Sequence, residues 1–132
     1  MDPENELYVR VFMLCEGAKQ TKRRLDILGI MDTWEQDQGV PITGDVIVMI
    51  VIERNGDAER HLMDLEWVNP DGTVRRVTTA LPLPEGSGPF PLRLKVDFNA
   101  WAPGLYRLRL LIDGTTAAFS PLEIREVRPI LN

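Results

Sequence analysis

Apolar residues in this chain come in short runs of Val, Ile, Leu and aromatics, each closed off by Gly, Pro, Asn or Asp, which is the mark of strands rather than helices. Eight such runs stand out, at residues 7–14, 25–31, 45–54, 60–68, 73–80, 92–98, 105–112 and 117–127. In the seventh, Leu108 and Leu110 alternate with Arg107 and Arg109, as they do in a strand with one wet face. Eight strands around a single small core predict an all-β fold, a two-sheet antiparallel sandwich.

The punctuation agrees with these limits. Asn69-Pro70-Asp71-Gly72 has Pro and Gly where a type I turn favours them and predicts a hairpin between the fourth and fifth runs. Asn55-Gly56-Asp57 predicts a hairpin between the third and fourth, and Asp113-Gly114 one between the last two. Residues 81–91 are rich in proline, which cannot donate to a ladder, so they read as a long loop crossing between sheets. Residues 16–24 hold too few apolar side chains for a helix and read as a mobile loop. The acidic opening, residues 1–6, is expected to be disordered.

One run breaks the alternation. Val46-Ile47-Val48-Met49-Ile50-Val51-Ile52 is apolar throughout, so both of its faces want cover. If one alternating set enters the core, the other, Ile47, Met49 and Val51, forms an outer patch of the kind that marks an interface with a partner or a second copy. Cover by the 81–91 loop or by the Ile130-Leu131 tail is the internal alternative.

The chain has 132 residues, 44% of them hydrophobic and 27% charged, which fits one self-sufficient domain spanning 1–132. Its formal net charge of -5 disfavours nucleic acid and anionic membranes as partners. The single cysteine, Cys15, excludes an internal disulfide. Neither a signal-peptide pattern nor an apolar stretch of spanning length occurs, so a cytoplasmic location is expected.

Pro103-Gly104-Leu105-Tyr106 leading into an alternating strand resembles the corner at which a Tyr hydroxyl caps a nearby loop in immunoglobulin-like sandwiches. Leu14-Cys15-Glu16-Gly17-Ala18, residues 25–32, this Pro-Gly-Leu-Tyr corner and Leu111-Ile112-Asp113-Gly114 together are similar to a family of small stand-alone bacterial proteins of unknown function. The resemblance implies an immunoglobulin-like sandwich and brings no catalytic residues with it.

The familiar catalytic and phosphate-binding motifs are missing, and nothing implies a cofactor. His61 is the only histidine, which leaves Cys15 with His61 as the single conceivable nucleophile pair. A small buried thiol and a turn-adjacent imidazole explain the two residues more simply. Lys19, Lys22, Arg23 and Arg24 form a basic cluster that reads as a solvated loop.

Counting strand polarity gathers Trp34, Trp67 and Trp101 at one end with Asp32, Glu35, Asp37, Asp45, Asp71 and Asp97, and sends the basic cluster to the other end. Converging carboxylates could hold Ca²⁺, and exposed indoles could stack on a sugar; the plainer reading has the indoles plugging the core. The expected function is a non-enzymatic protein–protein interaction or assembly module, with a homodimer as one form of it. The alternative is a sugar- or Ca²⁺-binding module using Trp34, Trp67, Trp101, Asp32, Asp71 and Asp97.

Overall fold

The computed structural model describes residues 7–21, 24–36, 42–55, 60–84, 86–100 and 102–126. They form β1 (Leu7–Thr21), β2 (Arg24–Ile30), β3 (Thr33–Gln36), β4 (Ile42–Arg54), β5 (Leu62–Val68), β6 (Val74–Ala80), β7 (Gly88–Ala100), β8 (Gly104–Ile112) and β9 (Thr115–Glu126). Two sheets result, ordered β2-β1-β4-β7 and β3-β9-β8-β5-β6. Every pairing is antiparallel except that of β3, which runs parallel to β9.

The architecture is an all-β, two-sheet, immunoglobulin-like sandwich. Its corner is the expected one: Tyr106, buried near the start of β8, donates its hydroxyl to the Ala102 carbonyl at 2.6 Å. The Asp113-Gly114 turn closes the β8–β9 hairpin with both residues at positive φ, 51° and 82°, as a tight hairpin turn requires.

The fully apolar strand is β4, at the centre of the smaller sheet between β1 and β7. Val46, Val48, Ile50 and Ile52 point into the core against Leu14, Met63, Trp67, Leu108, Leu110, Leu122 and Ile124. Burying each such aliphatic side chain stabilises the fold by about 1.5–3 kcal/mol. On the outer face Met49 is 2% exposed, Val51 7%, and Ile47 half-buried. The register flanks Ile47 with Cys15 and Lys95, Met49 with Met13 and Arg93, and Val51 with Val11 and Pro91. A central strand is flanked on both sides and shaded by its neighbours; the Ile130-Leu131 tail weighed as cover lies outside the described residues. The patch expected to be open is therefore closed within the chain.

Four expectations need correction. Residues 16–24 are not a loop: β1 continues to Thr21 and pairs with β2 from Cys15↔Ile30 to Thr21↔Arg24. This hairpin runs past the part of β1 that pairs with β4, so it carries little core-facing pattern to read. β4 and β5 do not form a hairpin, because β4 pairs with β1 and β7 while β5 pairs with β6 and β8; a turn reverses the chain without choosing its sheet. The 81–91 segment does cross between sheets, but Pro89 and Pro91 already belong to β7, an edge strand that tolerates missing donors on its free side. Arg54, 4% exposed, fixes this crossover by donating to the Gly86 and Pro84 carbonyls.

The fourth correction follows from β3, a four-residue strand too short for its periodicity to show. It reverses the chain once more, so the β1–β2 turn lies at the same end as the β5–β6 and β7–β8 connections. The basic hairpin and the acidic loops share one end of the sandwich and are not at opposite ends.

Candidate partner cleft at the open sandwich edge

Among the described residues the tryptophan and carboxylate set does not form one ligand site. Trp67 is 4% exposed, stacks on Phe98 at 5.4 Å and leans on Tyr106 at 5.3 Å. Trp34 meets Phe98 edge-on at 5.0 Å and packs against the core. Both described indoles thus plug the core; Trp101 and Asp37 lie outside the described residues. Asp71 caps its own turn by accepting from the Thr73 amide at 3.0 Å and the Thr73 hydroxyl at 2.6 Å, which lowers its pKa. Asp32 accepts from the Thr33 hydroxyl at 3.1 Å. Among the described residues no group of three or more His, Cys, Asp or Glu side chains could hold a metal ion.

Asp97 sits elsewhere, on β7 directly across from Asp45 of β4. The two carboxyls share a hydrogen bond that pulls the Asp45 pKa down and pushes that of Asp97 up, and Lys95 stands 3.2 Å from Asp45. Glu35 and Asp45, with Glu16, Met31, Thr33 and Trp34, border a shallow groove of about 430 Å³.

Cys15 and His61 belong to different sheets. Cys15 is fully buried on the outer face of β1, where desolvation raises its pKa against the smaller opposing effects of a hydrogen bond with the Gly17 backbone and of the Arg93 charge from across β4. His61 precedes β5 and makes a 2.5 Å contact from Nδ1 to Asp113, whose pKa is lowered chiefly by that contact. Within the basic cluster, Lys19 faces Asp26 across the hairpin and Arg24 bonds Asp26 at 2.6 Å; Lys22 and Arg23 lie outside the described residues.

A site that sequence reasoning missed lies where the two sheets part. β7 ends the four-stranded sheet and β6 ends the five-stranded one, so both offer a free edge on the same side of the sandwich. Between them opens a cleft of about 430 Å³ lined by Leu65, Trp67, Val77, Leu94, Val96 and Leu108, with Arg75, Thr79, Lys95 and Asp97 at its border. Every residue of β6 is exposed, and Val77, although it faces inward opposite Leu65, is 61% exposed. Trp67 lines this cleft, and its buried Nε1 has no hydrogen-bond partner among the described residues. A buried donor left unpaired destabilises by about 1–3 kcal/mol. One signal was available: residues 73–80 carry Val74 and Val77 three apart, with no alternating apolar face.

The backbone of β7 completes the geometry. Alternate residues of an edge strand direct their N–H and C=O groups to the same side. The Asp97 carbonyl accepts from the Arg75 guanidinium at 2.6 Å, so the odd-numbered residues of β7 face away from β4. Pro89 and Pro91 share that parity, where their missing N–H groups do no harm. The free edge is thereby blunted by prolines at one end and by Arg75 at the other, and is open at Arg93 and Lys95.

Residues 10–125 match the model of a family of unknown function, DUF6941. The chain belongs to that family. No curated protein matches this DUF6941 member. Among solved structures it is similar to the alkylpurine DNA glycosylase AlkC of Pseudomonas fluorescens bound to DNA containing an abasic site analog, with a TM-score of 0.53 and 10% identity. That likeness covers 91% of this chain and 30% of the glycosylase, and at such identity it concerns the fold alone. An immunoglobulin-like protein of Pseudomonas aeruginosa is similar over 93% of this chain and 99% of its own, with 14% identity and a TM-score of 0.45.

Proposed function

We propose that this DUF6941 member is a non-enzymatic interaction module that takes a segment of a partner protein into the cleft between β6 and β7. The observation that carries the reading is Val77, an apolar side chain turned toward the interior and yet 61% exposed, beside a buried Trp67 donor with no partner among the described residues. Apolar surface of this kind is a cost to an isolated chain and a source of affinity once covered. Val74, beside the cleft on β6, is exposed too, and away from the cleft Tyr8, Leu28, Ile30 and Phe119 are exposed, each on a stretch with one side unpaired among the described residues.

A photo-reactive benzophenone side chain placed at Val77 tests this in the producing cell. A discrete covalent adduct with one protein, not formed from the same group at the exposed Asp71 turn, is expected. No discrete adduct from Val77 would remove the reading.

Sugar binding is the second reading, supported by Trp34 bordering a groove with Glu16, Glu35 and Asp45. Trp34→Ala would then abolish binding on a glycan array and leave the Val77 adduct unchanged.

A further inference from the structure

We infer that the occupant of this cleft is an extended segment whose residues alternate between apolar and acidic, added as a strand to the free edge of β7. The inference rests on the interaction reading above and names the chemistry of its partner.

The edge itself dictates an extended ligand. Arg93 and Lys95 direct N–H and C=O groups outward with no neighbouring strand among the described residues, and only another strand, about 4.8 Å away, meets such a row in register. The prolines at 89 and 91 and the Arg75 bond to Asp97 limit pairing to the short stretch between them. Side chains of the added strand must then alternate, and the two faces they reach differ in kind.

Residues set beside Leu94 and Val96 enter the cleft, over Leu65, Val77 and Trp67, and must be apolar. Residues set beside Arg93 and Lys95 emerge on the outer face of the four-stranded sheet. Both flanking side chains there are cationic and exposed; Lys95 is paired with Asp45 at 3.2 Å and lies near Asp97, so Arg93 contributes most of the attraction. Opposite charges facing each other across a strand pair stabilise it, while like charges oppose it. Carboxylates are therefore the favoured outward groups. The same rule disfavours a second copy of this chain paired edge to edge through β7, because that would set Arg93 and Lys95 against themselves.

The probe is a seven-residue capped peptide alternating glutamate and valine, compared with its lysine–valine counterpart on the intact protein. Binding is followed by the Trp67 indole N–H resonance and by amide exchange. The glutamate peptide should slow exchange at Arg93 and Lys95 and bind roughly fivefold tighter than the lysine peptide, with the preference fading near 1 M salt. Arg93→Glu, a change at an exposed site, should narrow or invert the preference, and an unchanged melting curve verifies its fold. Equal binding of the two peptides, protection confined to another strand such as β2, or a dimer protecting the same amides without peptide would each overturn the inference. A discrete Val77 adduct alongside any of these would leave the interaction reading standing and remove only the strand-addition partner. Loss of that adduct would remove the interaction reading itself.

Discussion

Glu66→Gln probes the one carboxylate buried in a sheet face among the described residues. Glu66 of β5 is 1% exposed, and the register places Arg76 of β6 on one side and Arg109 of β8 on the other. Arg76 donates to Oε2 through Nε at 2.8 Å and through Nη2, and Arg109 donates to Oε1 at 2.8 Å. These bonds, those of Arg76 above all, hold the carboxyl below its usual pKa of 4.5 despite the opposing effect of burial. Hydrogen bonds to charged groups contribute about 1.5–3 kcal/mol in net terms. Both arginines stay part-exposed, at 55% and 40% of their side chains, so after the substitution they regain water and the loss stays near the lower figure, about 2 kcal/mol.

With a slope of roughly 2 kcal/mol per molar urea, that moves the unfolding midpoint down by about 1 M at pH 7. A carboxyl whose folded pKa is depressed stabilises the fold above its unfolded pKa and loses that contribution as pH falls through the folded value. The gap between parent and Glu66→Gln should therefore be full at neutral pH and close progressively below pH 4.5. Urea titrations at a series of pH values measure it. Equal midpoints at pH 7, or a gap that persists under acid conditions where Glu66 is protonated, would refute the ion-triplet account.

Three further outcomes follow from other sites. Asp97 has its pKa raised by Asp45, so the stability tied to its protonation is lost as pH rises through that raised value; Asp97→Asn should raise the melting temperature at neutral pH and have little effect in acid. Gly44→Ala would put a methyl group 2.6 Å from the Trp34 ring and 2.9 Å from Phe98, and should lower the melting temperature and shift the near-ultraviolet circular dichroism of the indole. Cys15, buried and with a raised pKa, should react with a thiol reagent at neutral pH only as fast as the protein opens, at a rate unaltered by His61→Ala.

The strands and the hairpin turns at Asp71-Gly72 and Asp113-Gly114 were legible because side-chain alternation, apolar runs and φ-positive turn residues are local properties of the chain. The Tyr106 corner was legible for the same reason, since its hydroxyl reaches a carbonyl only four residues upstream. The cleft left one faint trace, the weak pattern of residues 73–80, because an edge strand that covers little core need not alternate.

Local chemistry does not decide which strand lies beside which. The sequence by itself determined every described strand except the short β3, approximate limits for all but β1 and β7, and the sandwich class. Only the tertiary structure decided that β4 lies centrally with Met49 and Val51 covered, that the short β3 puts basic and acidic loops at one end, and that four strands face five so that Val77 is left open beside β7. The physical reason is that pairing and register are chosen by packing among residues far apart in sequence, which enclosed the core on the inner face of β4 and left the parted edges of β6 and β7 for a partner to complete.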